Sequence, residues 1–300
     1  MKRLFWLIEF AILILLSLPF ALLPMRIALK TGALLGSFVF NIWTSRRKIA
    51  IENIQKTIEL GEIKSSDKPE KIALECFKNL GRSFIEIIKI YYGFGSNLVQ
   101  AIEIRGLENF LKAKEKNKGI IMITGHCGNW ELCALAISAK ISVASGVARR
   151  QNNPFMNAAI EKVRAGFGNS IIYKQGALKS ILSALKKNSV VGILIDQAVV
   201  SDEGYIIDFL GRGAWATKMP ALIARKTGAP VLPVFIKREN SGHLLTVCPE
   251  IELSALEDKE EALIADTKQL MQPIEEYIRQ NPYEWLWIHR RWKRVPPLTQ

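Results

Sequence analysis

The chain opens on an apolar run, Leu4 to Met25 (LFWLIEFAILILLSLPFALLPM), broken by one charge, Glu9. As a helix rising ~1.5 Å per residue, a run of this length reaches about 33 Å, enough for a hydrocarbon core. Pro19 and Pro24 fall towards its far end, where they can kink it. Lys2 and Arg3 precede the run, as they do in a secretory signal. No small-x-small cleavage site follows, however, and a second apolar patch, Ala33 to Trp43, continues the chain. The pattern therefore predicts a retained membrane anchor. The stretch from Ala28 to Trp43 contains Lys30 and Gly32 and reads as an amphipathic or partly inserted segment at the membrane face.

A polar stretch, Glu59 to Lys68, closes this region. Asp67 is placed to cap a helix in which Ile72, Cys76, Phe77, Leu80, Phe84, Ile87, Ile88 and Tyr91 recur at three- and four-residue spacing. After Gly95 the period changes. Short apolar runs at Ala101–Ile104, Gly119–Ile123, Ile141–Val147, Ser170–Tyr173, Val190–Ile195, Val231–Ile236 and Leu244–Val247 predict strands. Helical patterns separate several of them, at Pro154–Phe167, Ala177–Lys187 and Met219–Thr227, and a last amphipathic helix covers about Asp258–Gln280. Phe209 and Gly211 read as a loop before a helix. Strands alternating with helices predict an α/β layer with a largely parallel or mixed sheet. The expected organisation is an anchor over residues 1–26, a membrane-proximal helical segment over 27–66 and a catalytic domain over 67–300.

Charge adds a partner class. There are 41 Lys+Arg against 28 Asp+Glu, a formal net charge of +13, which favours anionic partners. A nucleic-acid role is disfavoured, because no nucleic-acid motif accompanies the charge and the chain begins with an apolar span. Arg26, Lys30, Arg46, Arg47 and Lys48 follow the span and outnumber the cations before it, which places the main body on the cytoplasmic side. Cys76, Cys127, Cys133 and Cys248 are scattered without a CxxC pair, the pattern of a reducing compartment rather than a disulfide framework or zinc site. Trp285, Trp287, His289, Arg290, Arg291, Trp292 and Lys293 form an aromatic and cationic tail, open to two readings: a membrane interface or carrier-protein contact, or a packed closing element.

Candidate chemistry centres on residues 124–131, T-G-H-C-G-N-W-E, where a strand (GIIMIT) turns into a helix (WELCALAIS). Ligand sites in α/β sheets gather at such strand ends. Gly125 and Gly128 suit a tight turn, Asn129 a helix cap, and Glu131 the first helical turn. A carboxylate one turn inside the helix can reach back to a ring nitrogen of His126 and leave the other nitrogen a general base for a hydroxyl. Backbone N–H groups near Gly128 and Asn129 suit a developing oxyanion. These are the requirements of acyl transfer to an alcohol. Cys127 is disfavoured as a nucleophile and a metal site is not expected, since the three histidines lie far apart.

The stretch resembles the G-H-x-G-N-W-E signature of the bacterial lipid A biosynthesis (late, secondary) acyltransferase family. RRKIAIENI (46–54), ARRQNNP (148–154), Arg164 in EKVRAGFG, LIDQAV (194–199), FLGRGAWATKMPALIARKTGAPVLP (209–233) and PYEWLWIHRRWK (282–293) follow in the family's order, with Ala148 where an aromatic is usual. The resemblance implies a glycerol-3-phosphate-acyltransferase-like mixed sheet flanked by helices. It also implies transfer of a fatty acyl chain from an acyl carrier protein thioester to a hydroxyl of a lipid A precursor, without a cofactor. By the same resemblance His126 is the base and Glu131 its partner, with Arg149, Arg164 and Asp196, beside Gly128 and Asn129, lining the substrate site. Arginine forks suit a phosphate of a lipid headgroup or of phosphopantetheine.

Overall fold

The computed structural model describes residues 2–239, 242–293 and 295; Met1 and residues 240–241, 294 and 296–300, which the expected domain limits include, lie outside these. The chain begins with four long helices: α1 (Lys2–Leu22), α2 (Met25–Ile42), α3 (Thr44–Glu59) and α4 (Pro69–Tyr91). Among the described residues α1 alone is long and apolar enough to cross a membrane. It stops just before Pro24, whose extended backbone precedes α2. A bend of 94° separates α2 from α3.

Small residues set the packing of this layer. Gly36 of α2 and Gly81 of α4 lie at the crossing. A Cβ on Gly36 would sit 2.1 Å from the Phe77 carbonyl oxygen, and one on Gly81 would sit 2.0 Å from that of Gly32. Only glycine permits backbones this close. The Lys89 ammonium, on the same helix α4, donates to the Ala21 and Leu23 carbonyls at 2.7 Å each. It thereby satisfies groups left open at the end of α1. The start of α4 differs from expectation. Lys68 occupies the cap position without a side-chain bond, and Pro69 supplies the first helical residue. Asp67 instead pairs with Lys71 at 2.7 Å and accepts from the Tyr283 hydroxyl at 2.8 Å.

The remainder is mixed α/β. In chain order it comprises α5 (Ser96–Gln100), β1 (Glu103–Arg105), α6 (Leu107–Glu115), β2 (Ile120–Thr124), α7 (Trp130–Lys140), β3 (Ala144–Ala148), α8 (Pro154–Ala165), β4 (Ser170–Tyr173), α9 (Ala177–Lys186) and β5 (Val190–Leu194). It continues with β6 (Gly204–Phe209), β7 (Arg212–Thr217), α10 (Met219–Thr227), β8 (Val231–Glu239), β9 (Gly242–Val247) and α11 (Lys259–Gln280). Seven strands form one sheet in the order β1-β9-β8-β2-β5-β3-β4. Every pairing is parallel except β8 with β9.

Alternate residues of the central strands serve opposite cores, as the two-residue period of a strand requires. Ile121 and Ile123 join the cluster with Ile274, Trp285 and Trp287; Ile120 and Met122 join the one with Leu132, Leu135 and Val234. Both faces are covered, so these strands are apolar throughout rather than alternating in sequence.

Phe209 and Gly211, expected in a loop before a helix, fall at the tip of an antiparallel hairpin that β6 and β7 form outside the main sheet. Phe209 pairs with Arg212 across the two-residue turn Leu210–Gly211, and both turn residues have positive φ, 52° and 72°. Phe209 is buried in the core, not part of a loop.

Candidate active site

β2 and β5 lie side by side, with Thr124 opposite Leu194, and the Ile195 N–H donates to the Thr124 carbonyl at 3.0 Å. Two residues past these ends, His126 and Asp196 emerge at the same edge. The Asp196 carboxylate is almost wholly buried, at 2% exposure. One oxygen, Oδ1, lies 2.8 Å from His126 Nδ1. The other accepts the His126 backbone N–H at 2.9 Å and the Trp285 indole N–H at 2.8 Å. A carboxylate held by three donors fixes the imidazole with its proton on Nδ1 and leaves Nε2 unprotonated. The Gln197 amide lies 3.2 Å from Nε2, and the Trp130 ring meets the imidazole edge-on at 5.0 Å.

Electrostatics follow from this geometry. Burial alone would favour neutral His126, but the Asp196 charge and hydrogen bond outweigh it, with a smaller push from Glu131, and its pKa lies above the ordinary imidazole value. Asp196 is held below the usual carboxylate range: burial opposes this, and the His126 charge and the three hydrogen bonds prevail. His243 and His289 go the other way, burial bringing each down to about 4. The Cys127 thiol is fully enclosed and pushed far up by burial, the opposite of a reactive thiolate.

Glu131 does not take the place expected of it. Its carboxylate engages Arg164 in a bidentate pair, at 3.0 Å to Nε and 2.7 Å to Nη2. The cause is local geometry. The tight turn and the first turn of α7 aim Glu131 at α8, whereas the adjacent parallel strand delivers a nearer carboxylate to the ring. Arg149 lines the same pocket at an exposed position.

Gly128 and Asn129 build the turn from within. Gly128 has φ 54°, and a Cβ there would lie 2.2 Å from the Ile236 carbonyl oxygen. Its N–H donates to the Glu284 carbonyl at 2.9 Å, so this donor is already engaged. Asn129 accepts the Leu132 N–H at 3.1 Å as the cap of α7 and donates to the fully buried Glu86 at 2.8 Å. Arg238 neutralises Glu86 through both Nη atoms, one at 2.8 Å.

The tail resolves as a packed closing element. Trp285 and Trp287 are buried, and so is Arg291. Residues 284–286 pair antiparallel with the turn: the Leu286 N–H donates to the His126 carbonyl at 3.1 Å, opposite the Gly128–Glu284 bond. Of the two readings left open for the tail, the buried Trp285, Trp287 and Arg291 fit the packed one. That the tail meets His126 lies beyond a sequence pattern.

Two cavities meet here. One of about 440 Å³ contains His126, Glu131, Arg149, Arg164, Tyr173, Lys174 and Gln197. The other, about 810 Å³, runs between α1, α4 and α8 and is walled by Phe5, Phe10, Leu13, Ile14, Phe84, Ile87 and Met156. Trp130, Glu131, Gln151 and Ile160 line both.

A mixed sheet carries a carboxylate-backed histidine at its strand ends, in a cavity with Arg149 and Arg164 that adjoins a larger apolar one, and the family this chain matches is one of acyltransferases. Residues 2–294 match the family described as bacterial lipid A biosynthesis acyltransferase, and the chain belongs to that family. It is 24% identical over 277 residues to the lipid A biosynthesis palmitoleoyltransferase of Escherichia coli, covering 91% of this chain and 87% of that one. To the lipid A biosynthesis lauroyltransferase of the same organism it is 23% identical over 278 residues, 91% and 88% of the two chains. A phosphatidylinositol mannoside acyltransferase of Mycobacterium tuberculosis is 21% identical over 229 residues, 75% and 71%.

Proposed function

We propose that this protein transfers a fatty acyl chain from an acyl carrier protein thioester to a hydroxyl of a lipid A-type precursor, with His126 as general base. The observation that carries the reading is the His126–Asp196 pair at 2.8 Å, with His126 lining the smaller cavity beside Trp130 and Glu131, which line both. The apolar cavity suits the acyl chain. The polar cavity, with Arg149 and Arg164, suits a phosphate on the acceptor or on the phosphopantetheine arm.

In this mechanism Nε2 takes the hydroxyl proton as the oxygen attacks the thioester carbonyl. Asp196 stabilises the imidazolium that forms. Arg149 faces the developing oxyanion, since the Gly128 N–H is engaged within the fold. The tetrahedral intermediate expels the thiolate, and the imidazolium returns the proton to sulfur. No acyl-enzyme and no cofactor are required, because the thioester is already activated. Glu131 raises the basicity of His126 through its charge and holds Arg164 in the pocket.

The reading includes a glycerol-3-phosphate-acyltransferase-like fold, supported by the parallel β2–β5 edge that carries His126. It places α1 in the inner membrane as a single span and the domain from residue 67 onwards on its cytoplasmic face, supported by Arg26, Lys30, Arg46, Arg47 and Lys48 after the span. The name of the mycobacterial relative makes a mannosylated glycolipid the second candidate acceptor.

The test uses membranes containing the full chain, a tetraacylated lipid A precursor bearing its inner sugar, and a panel of acyl carrier protein thioesters. One acyl chain should be added, and His126→Ala should reduce the rate by roughly 10³-fold or more at equal abundance. Full activity in the variant, or transfer only to another lipid, would overturn the reading.

A further inference from the structure

α1 keeps one charge in an otherwise apolar run, and the structure gives that charge a partner. The Glu9 carboxylate accepts from the Asn153 side-chain amide at 2.9 Å, and the same amide donates to the Trp6 carbonyl at 3.0 Å. Asn153 is 8% exposed. Its oxygen accepts the Phe155 and Met156 N–H groups at 2.9 and 3.3 Å, capping α8. One side chain thus starts α8 and fastens α1 to it. Phe10 stacks on Phe155 beside this junction, with centroids 6.2 Å apart. Just upstream, Arg149 and Gln151 line the His126 pocket, and Gln151 also lines the apolar cavity.

We infer that Asn153 is a positioning residue that locks the 149–153 segment to the membrane-entering helix, so that α1 is a working wall of the reaction site as well as an anchor. The residue type fits the double task. A cap needs an acceptor, which Ser, Asp and Asn all provide. The two bonds to α1 need two donor hydrogens on the same side chain: the Asn amide carries both, whereas a Ser hydroxyl carries one on a shorter side chain and an ionised Asp none. Substitutions therefore separate the two roles. Asn153→Ser keeps the cap and removes the amide. Asn153→Asp keeps the cap and sets a carboxylate against Glu9. Glu9→Gln preserves an acceptor, and Glu9→Gln combined with Asn153→Asp reverses the donor and acceptor.

The inference rests on the proposed reading for its catalytic arm, so two readouts are taken on the full chain in membranes. The first is acyl transfer, split into KM for the thioester and kcat. The second is affinity for a hexadecanoyl-pantetheine thioester with amide exchange across residues 149–156, which needs no turnover. Asn153→Ser and Asn153→Asp should raise donor KM and weaken thioester binding by about 10-fold, the scale of one lost hydrogen bond to a charged group. In both, kcat should fall as well, because Arg149 faces the oxyanion from the loosened segment, and exchange should quicken. Glu9→Gln should stay near wild type, and the reversed pair should recover most of the loss. Unchanged binding and exchange in Asn153→Asp, faster exchange without weaker binding, or no recovery in the reversed pair would each overturn the inference. Wild-type protein that binds the thioester without acylating the lipid A precursor would count against the proposed acceptor instead.

Discussion

The two cavities that meet at Trp130 are built on different physics. The larger is walled by side chains from α1, α4 and α8, whose apolar positions recur at helical spacing. The smaller is assembled at the ends of strands and loops, from residues far apart in sequence. The first supplies area and shape, the second a few oriented charges. Dispersion and the hydrophobic effect grade smoothly with the atoms removed, whereas a hydrogen-bonded pair is nearly all or none. Damage to the polar cavity should therefore cost rate steeply, and damage to the apolar one should cost affinity gently.

The largest effect expected on this contrast is at Asp196. Asp196→Asn should lower kcat/KM by about 10²-fold or more, because the ring loses both its tautomer restraint and the charge that stabilises the imidazolium. The pH profile gives the sign. On the proposed mechanism His126 acts when neutral; its pKa is raised, so wild-type activity should climb with pH through a value above the ordinary ~6.5. Without the Asp196 charge burial dominates, and the acid limb should move to lower pH. The His126 contribution to stability moves in the opposite sense to activity, and the Asp196 contribution in the same sense. The raised His126 pKa contributes stability that is complete below the unfolded value and fades as pH rises through the folded one. The depressed Asp196 pKa contributes stability present above its unfolded value and lost as pH falls through the folded one. Thermal unfolding followed from about pH 2, where the Asp196 limb falls, to about pH 9, past the His126 limb, checks both.

How far could this contrast be read from the sequence? The strand-turn-helix at 120–140 was legible, and so was the Asn129 cap, because Gly, Asn and an apolar run act locally. The His126–Asp196 bond was not, because it depends on β2 lying beside β5 across 70 residues of chain. The spacing of His126 and Glu131 instead drew attention to a carboxylate that serves Arg164. Asp196 was visible as a polar residue at a strand end, but its partner was not. The β6–β7 hairpin escaped for a different reason. Its two-residue turn requires positive φ at both positions, which Asn-Gly would advertise, and here the first is Leu210.

The second prediction sharpens the division at its boundary, where Glu131 lines both cavities. Glu131→Gln removes the bidentate hold on Arg164 and a minor contribution to the basicity of His126. A loss of about 10-fold in kcat/KM is expected, less than at Asp196, with a smaller downward shift of the acid limb. A loss equal to that of Asp196→Asn would mean that Glu131 acts on the ring directly. The smallest effect is expected in the apolar cavity. Ile160→Trp narrows the junction and should raise KM for long acyl donors several-fold while sparing short ones, a graded cost of the kind overpacking brings. Steady-state kinetics across donors of increasing chain length measure it. A fall in kcat with every donor would break the contrast, because the wall would then be holding His126 in place as well.

The antiparallel pairing of residues 284–286 with the His126 turn has a consequence for biosynthesis. Trp285, which donates to Asp196, is encoded 89 positions after it. At ~5–20 residues per second, translation takes roughly 4 to 18 s to cover that interval. On the proposed reading, α1 can already have entered the bilayer during that interval while the strand ends of β2 and β5 wait without their clamp. A ribosome-bound chain that has reached its lipid surface is thus still chemically silent, and competence arrives only when the indole docks.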